Sequence, residues 1–539
     1  FFFKQKTAYE IYQCDWSSDV CSSDLTTPRG TSLLAVASSD GRFLQWVVGD
    51  DNAPVVGTAT ISSIQRQSNT VTVTCAESHD FLVGDSVVIA GVTTTSFNGT
   101  FTVVSVPTAD TFTYSQAGTN TTSSGGTATS GSVPIDNRGV IVTEERHVVL
   151  FGAGGNPRRV AWSDQEDYVN WEFTNPLSQA GYFDLDTNSK IIMAVAVRDG
   201  TLILTDGEAW LMRYIGLPYI YSFERVGHEC GIIAPMAFAT FAGRCVWMGR
   251  EGFWMYDGGF VRQLPCDVGS YVFDNIDATA GRVYTHGTNN GVFPEVWFWY
   301  PSDGSSVPDR YVIYNYLEKL WYYGQLSRTA WLDSHIIGNP LAASAQYSVT
   351  ALVPGATYVI SYVGNTDWTT VGAVASIQGE TFIAEGTGTG TGYAVQITGV
   401  VVQHETGTDD GSINPPQPIA AYIESADFDL GDGGYQFSFV KRLIPDIDFI
   451  GSSNTTPVAT MTLKARNYPG QGVAGLSTMQ NTASTVSGSE VSTQIYDYTQ
   501  EVWVRIRGRQ LVFRVESDAL GVKWQLGSPR LQIQPDGRR

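Results

Sequence analysis

Charge is scarce in this chain: Asp, Glu, Lys and Arg make up 16% of 539 residues. What charge there is leans acidic, 53 Asp and Glu against 32 Lys and Arg, for a net of −21. That balance argues against a general nucleic-acid binder, because phosphate contacts need Lys and Arg. It suits a surface that DNA slides past without sticking. Cysteine is sparse as well, six residues with no Cys-x-x-Cys pair. Cys75, Cys230, Cys245 and Cys266 therefore read as buried free thiols. No apolar run approaches the ~18 residues of a membrane span. The six histidines (His79, His147, His228, His286, His335 and His404) are scattered and no His-Glu-x-x-His occurs. There is no Gly-x-Ser-x-Gly elbow either. The sequence thus predicts no enzyme: no catalytic residues, no metal site and no cofactor.

Residues 1–25 stand apart from the rest. Codon by codon, 15–25 back-translate onto a sequence that resembles a short-read sequencing adaptor, and 3–11 resemble its flow-cell end. The stretch lacks the apolar core and small-residue cleavage site of a signal peptide. It reads as an artefact in place of the natural N-terminus. It holds Lys4 and Lys6 against Glu10, Asp15, Asp19 and Asp24, which leaves −19 on the remainder.

What the chain has in quantity is Gly, at 56 residues, and aromatics, at 12%. Short apolar runs punctuated by Gly read as tightly turned antiparallel strands. Residues 245–264 show the pattern best: an apolar strand, a turn at 249–252, an aromatic strand, a Gly258-Gly259 turn and a third strand. It recurs at 32–48, 147–162, 201–215, 295–323 and 399–405. A strand–turn–strand unit repeating every 40–50 residues or so is the signature of propeller blades. Two stretches interrupt it, 55–131 and 342–396, both rich in Thr, Gly and Val. Removing them restores spacings of about 38 residues between Leu33 and His147 and about 50 between Val296 and Val401. The predicted fold is all-β. Residues 26–54, 132–341 and 397–424 form a β-propeller of about six blades. The stretches at 55–131 and 342–396 are inserted β modules, and 425–539 form a C-terminal β domain. Residues 223–233 and 267–274 are expected as connections. Tyr219, Tyr221, Trp247, Trp254, Trp297, Trp299, Trp321, Tyr322 and Tyr323 are expected as blade core, with an exposed carbohydrate platform as the other reading.

Several motifs invite chemistry and have plainer readings. Asp40-Gly41 is a hairpin turn before it is an Asp-box. Gly152–Gly155 lacks the following helix and the Lys-Ser/Thr of a phosphate loop. The 184–188 run, with Asp184 and Asp186, opens like a calcium loop without its glycine or closing Glu. Asp427, Asp429 and Asp432 read first as an acidic turn. A propeller glycosidase would draw on Asp164, Glu166, Asp167 and Arg158.

The C-terminal region is where basic residues gather. In 502–509, Arg505, Arg507 and Arg509 alternate with Val504, Ile506 and Gly508, so strand geometry places the three arginines on one face. Arg514, Lys523, Arg530, Arg538 and Arg539 follow. The face is either solvated or a contact that pairs Arg with carboxylates across an interface.

Residues 151–167 (Phe-Gly-Ala-Gly-Gly-Asn-Pro-Arg-Arg-Val-Ala-Trp-Ser-Asp-Gln-Glu-Asp), 249–268 and 521–539 resemble a family of tailed-phage virion proteins. The family comprises the tail nozzle proteins of short-tailed phages, also called tail tubular protein B or DNA-stabilisation proteins. The likeness covers most of the chain outside residues 1–25 and the two inserts, and the inserts resemble decoration modules of phage virion proteins. The resemblance implies a place in the virion tail. It implies a homo-oligomeric ring, a hexamer, below the portal and adaptor, through which DNA passes on ejection. Arg505, Arg507 and Arg509 would then face a neighbouring subunit or the adaptor. Two other classes stay open: a glycan- or receptor-binding tail protein, and a propeller glycoside hydrolase.

Overall fold

Turns set the strand boundaries. Gly258 and Gly259 sit at φ of 104° and 99°, which side-chain-bearing residues rarely adopt. They reverse the chain between the strands Phe253–Tyr256 and Val261–Leu264. Gly200 turns the chain at φ 135°, where a Cβ would stand 2.3 Å from the Met212 carbonyl oxygen.

The computed structural model describes residues 26–27, 30–37, 41–47, 55–79, 81–174, 178–305, 307–333, 338–408, 418–419, 421–430, 433–467 and 490–537. The adaptor-like residues 1–25, Asp40 of the expected hairpin turn, His335, Asp432, Arg538 and Arg539 lie outside them. The protein is all-β, and among the described residues its helices are short, such as Gly269–Phe273 and Gly281–Tyr284. Among the described residues no helix is long and apolar enough to cross a membrane. The chain divides into two compact units, one ending at His404 and one beginning at Glu405.

In the first unit, four consecutive four-stranded antiparallel meanders follow one another. The first of these holds Gly139–Val142, Val148–Phe151, Arg159–Trp162 and Gly181–Asp184. The second holds Ile191–Val197, Gly200–Thr205, Ala209–Gly216 and Ile220–Gly227. The third holds Phe238–Phe241, Arg244–Met248, Phe253–Tyr256 and Val261–Leu264. The fourth holds His286–Asn290, Glu295–Tyr300, Arg310–Asn315 and Leu320–Gln325. A three-stranded sheet, Thr26–Thr27, Gly30–Val36 and Phe43–Val47, precedes them. Residues 223–227, expected as a connection, belong instead to a fourth strand. Its outward residues are polar, so no apolar pattern announces it.

Neighbouring sheets share cores. Val160 and Trp162 of the first meander pack with Ile203 and Trp210 of the second. Leu202, Trp247, Phe253 and Phe298 join the second, third and fourth in one cluster. Strands such as Val148–Phe151 are buried on both faces, which is why they read as unbroken apolar runs. Trp247 and Trp299 are fully buried, whereas Tyr219 and Tyr323, expected as core, are 75% and 51% exposed.

The first interrupting stretch forms a closed six-stranded barrel. Thr127–Ser130 pairs with both Thr58–Gln67 and Ser86–Ala90, and Ile64, Val71, Val73 and Phe112 fill the interior. The second does not have a sheet of its own. Leu341–Ser348 and Tyr393–Gln403 pair with each other along their length, and Ala330–Leu332 adds to one of them. At the far end Thr357–Tyr362 and Thr381–Ile383 extend the same sheet.

In the second unit two sheets face each other. Ser438–Ile444 lies between Val502–Gly508 and Arg530–Pro535. Val440, Val504 and Ile506 of this sheet pack on Leu463 and Leu511 of the other, whose strands include Val458–Arg466 and Gln510–Ser517.

Candidate interaction surface

The arginine strand, Val502–Gly508, turns Val504 and Ile506 into the core, at 2% and 1% exposure. Period-two geometry then puts Trp503, Arg505 and Arg507 on the opposite face. Arg509 lies past the end of the strand, and its backbone N–H donates to the Arg466 carbonyl at 2.8 Å. Arg507 is held within the unit. Its Nε donates to the Asp536 carboxylate, and its guanidinium sits 4.0 Å from the Phe437 ring centroid. Arg509 approaches the same ring, at 4.8 Å. Arg505 is exposed and has no side-chain partner among the described residues.

The neighbouring strand continues this face. Arg442 stands opposite Trp503 in register. It reaches the Trp503 ring at 5.8 Å and the Glu501 carboxylate at 2.8 Å. Trp503 is 65% exposed. Arg530 stands opposite Ile444, two positions along from the Gln532–Arg442 pair, and so lies on the same face. Lys441 is exposed at the register shift. Residues 405–539 are a quarter of the chain and hold 12 of its 32 Lys and Arg. An open sheet face with a tryptophan, an unpaired arginine and further cations suits an acidic partner surface, because guanidinium binds carboxylate in a fixed two-pronged geometry. The exposed ion pairs on it contribute little to folding, about 0–1 kcal/mol each, and exchange readily for contacts with a partner.

Other sequence candidates serve local structure. Asp164 accepts from the Gln165 and Gln179 N–H groups, both at 2.9 Å, and Asp167 accepts from Val169 and Asn170. Glu166 pairs with Arg146, while Arg158 donates to the Thr187 carbonyl. Asp184 takes a two-pronged bond from Arg159, at 2.8 and 2.9 Å, which holds its carboxyl below the usual range. Asp427 pairs with Arg466 and Asp429 accepts from Gln510. Among the described residues no group of three His, Cys, Asp or Glu is placed to hold a metal ion. Gly152, Gly154 and Gly155 form a left-handed hairpin turn leading into a strand.

The Phe437 platform, Asp536 and the Arg442–Trp503 pair were missed by sequence reasoning. Alternation reveals which residues share a face of one strand. It does not reveal which strand, some 60 residues away, lies alongside it.

No family model matches this chain, and no curated protein does. Among solved structures, a phage phi92 endosialidase matches over 71% of this chain at 12% identity, with a TM-score of 0.20. The chain spans 59% of that protein's length. An exo-β-1,3-galactanase from Phanerochaete chrysosporium, seen with β-1,3-galactotriose, matches over 93% of this chain and 100% of its own at 9% identity, TM-score 0.23. These likenesses are weak and assign no family.

Proposed function

We propose that this chain is a virion structural protein of a tailed phage, a subunit of the nozzle ring that retains packaged DNA and conducts it during ejection. The observation that carries this reading is the open basic face around Arg505 on a chain that is otherwise strongly acidic, a complementarity that favours association of copies. The meanders support a propeller of about six blades as the scaffold. Their first strands lie side by side, Gly139–Val142 next to Ile191–Val197 and Phe238–Phe241 next to His286–Asn290, as inner strands do around an axis. A net-negative bore would keep DNA from adhering. The test is particle imaging with sedimentation of the purified chain. Rings with an axial hole are expected, and Arg505→Glu should leave folded monomers. A wild-type chain that stays monomeric at high concentration overturns the reading.

A second reading, a glycan- or receptor-binding tail protein, is favoured by exposed rings on the first unit, Tyr219 and Tyr323 among them. A glycan array probed with the chain separates the two.

A further inference from the structure

One cluster in the fourth meander is not explained by packing. Tyr300 and Arg310 stand opposite each other on adjacent strands, and Tyr323 lies on the next strand, paired with Val312 on the same face. The short helix Gly269–Phe273 brings Tyr271 against them. Its ring lies 4.1 Å from that of Tyr323, tilted by 37°, and its hydroxyl accepts from the Arg310 guanidinium at 3.2 Å. Both rings are open to solvent, at 36% and 51%.

Beneath them two donors are unspent. Among the described residues the buried Tyr300 hydroxyl has no hydrogen-bond partner, and neither has Arg310 Nε. A buried hydroxyl or N–H without a partner costs about 1–3 kcal/mol, so their convergence in one place calls for an acceptor. Burial holds the Tyr300 phenol well above its ordinary value, so it keeps its proton. The nearby Asp309 carboxylate is 3.6 Å from Arg310 Nε, an ion pair too long to be a hydrogen bond. It is already occupied by the Ser302 N–H and hydroxyl, both at 2.7 Å.

We propose that this cluster is a saccharide subsite, in which a pyranose ring packs on Tyr271 and Tyr323 and one of its oxygens accepts from Tyr300 and Arg310. Exposed aromatic faces supply apolar contact to the C–H face of a sugar, and the two donors fix its orientation. Asp309 offsets the charge of Arg310 and disfavours polyanions such as nucleic acid. The acceptor oxygen is a hydroxyl or a sugar carboxylate, which share this chemistry. Exposed tyrosine side chains reorient quickly, so the two rings turn to admit a sugar oxygen to the donors while each keeps a face against the sugar.

The inference rests on the glycan-binding reading and gives it a place. The test is saturation-transfer NMR of the full chain with lactose, cellobiose, sialyllactose and glucuronic acid. Transfer to ring C–H protons is expected, from the carboxylated sugars alone if the acceptor is a carboxylate and from both kinds if it is a hydroxyl. Tyr300→Phe removes one oxygen and keeps the packing, so it should weaken binding about tenfold, the loss of roughly 1.4 kcal/mol, without lowering the melting temperature. Tyr323→Ala should abolish it. Glycan-array binding that Tyr300→Phe and Tyr323→Ala leave unchanged overturns this site and spares the glycan-binding reading. No binding to any of the four sugars and an empty array overturn both.

Discussion

Arg507 and Phe437 form a cation–ring pair at 4.0 Å within the second unit, while Arg505, two positions back on the same strand, has no partner among the described residues. The two arginines should therefore behave differently. Arg507→Ala removes the ring contact and the Asp536 ion pair, and should loosen the 502–508 strand by about 1 kcal/mol. Arg505→Ala should stay within about 0.5 kcal/mol of the parent yet weaken self-association. Hydrogen exchange of the strand and sedimentation of the two variants check both halves.

Asp85 sits 8% exposed in the barrel. Burial first, then the carboxylates of Asp167 and Glu172, push it up to about 6, against the pull of the Leu82 N–H. A raised folded-state value means the folded state holds its proton more tightly than the unfolded chain does. Its contribution to stability is fully present below about pH 4, falls as pH rises to about 6, and is lost above. Asp85→Asn keeps an oxygen for the Leu82 N–H and removes the charge. The variant should be more stable than the parent at pH 7.5 by on the order of 1 kcal/mol, with the gain vanishing near pH 4. Melting curves at the two pH values measure it.

How much of this was legible in sequence differs from residue to residue. Val504 and Ile506 betray their strand because one face is buried and the other is wet. Trp247 and Trp299 read as core because both faces of their strands are covered. The second half of the strand Ile220–Gly227 went unseen, because Glu224 and Arg225 face solvent there and interrupt its apolar residues. Tyr219 and Tyr323 show the converse, large rings that read as core and lie at a turn or on an outer strand. Barrel closure by Thr127–Ser130 depends on pairing with a strand some 70 residues away, and no local pattern encodes that.

Arg66 is a buried cation with no carboxylate partner among the described residues. It is 4% exposed, its Nη2 donates to Ser96 at 2.9 Å, its guanidinium lies 4.7 Å from the Phe97 ring centroid, and its Nε has no partner. Removing a guanidinium from water costs several kcal/mol, and one neutral hydrogen bond with a ring contact offsets only part of it. Arg66→Met keeps most of the volume and removes the charge. It should raise the barrel's stability by about 1 kcal/mol, whereas Arg66→Ala, which also leaves a void, should lower it. Local unfolding followed by hydrogen exchange of strands 58–67 and 70–75 separates these outcomes.

His404 accepts a 2.7 Å hydrogen bond at Nε2 from Arg328 Nε, so its own proton must be on Nδ1. Protonating Nε2 would break that bond and set two cations side by side. Burial first, then the Arg328 charge, bring His404 down to about 4, against about 6.5 for the unfolded chain. A depressed histidine gives stability that is fully present above pH 6.5 and is lost progressively as pH falls towards 4, opposite in direction to the Asp85 effect. The ring is only partly buried, so screening by water limits the loss to on the order of 1 kcal/mol. His404→Gln offers Arg328 an amide oxygen that does not titrate. Stability measured between pH 6.5 and 4 should fall less steeply in this variant, and the parent's His404 ring protons should show a titration midpoint near pH 4 by NMR. A midpoint near 6.5 would mean that Arg328 does not hold the ring in solution.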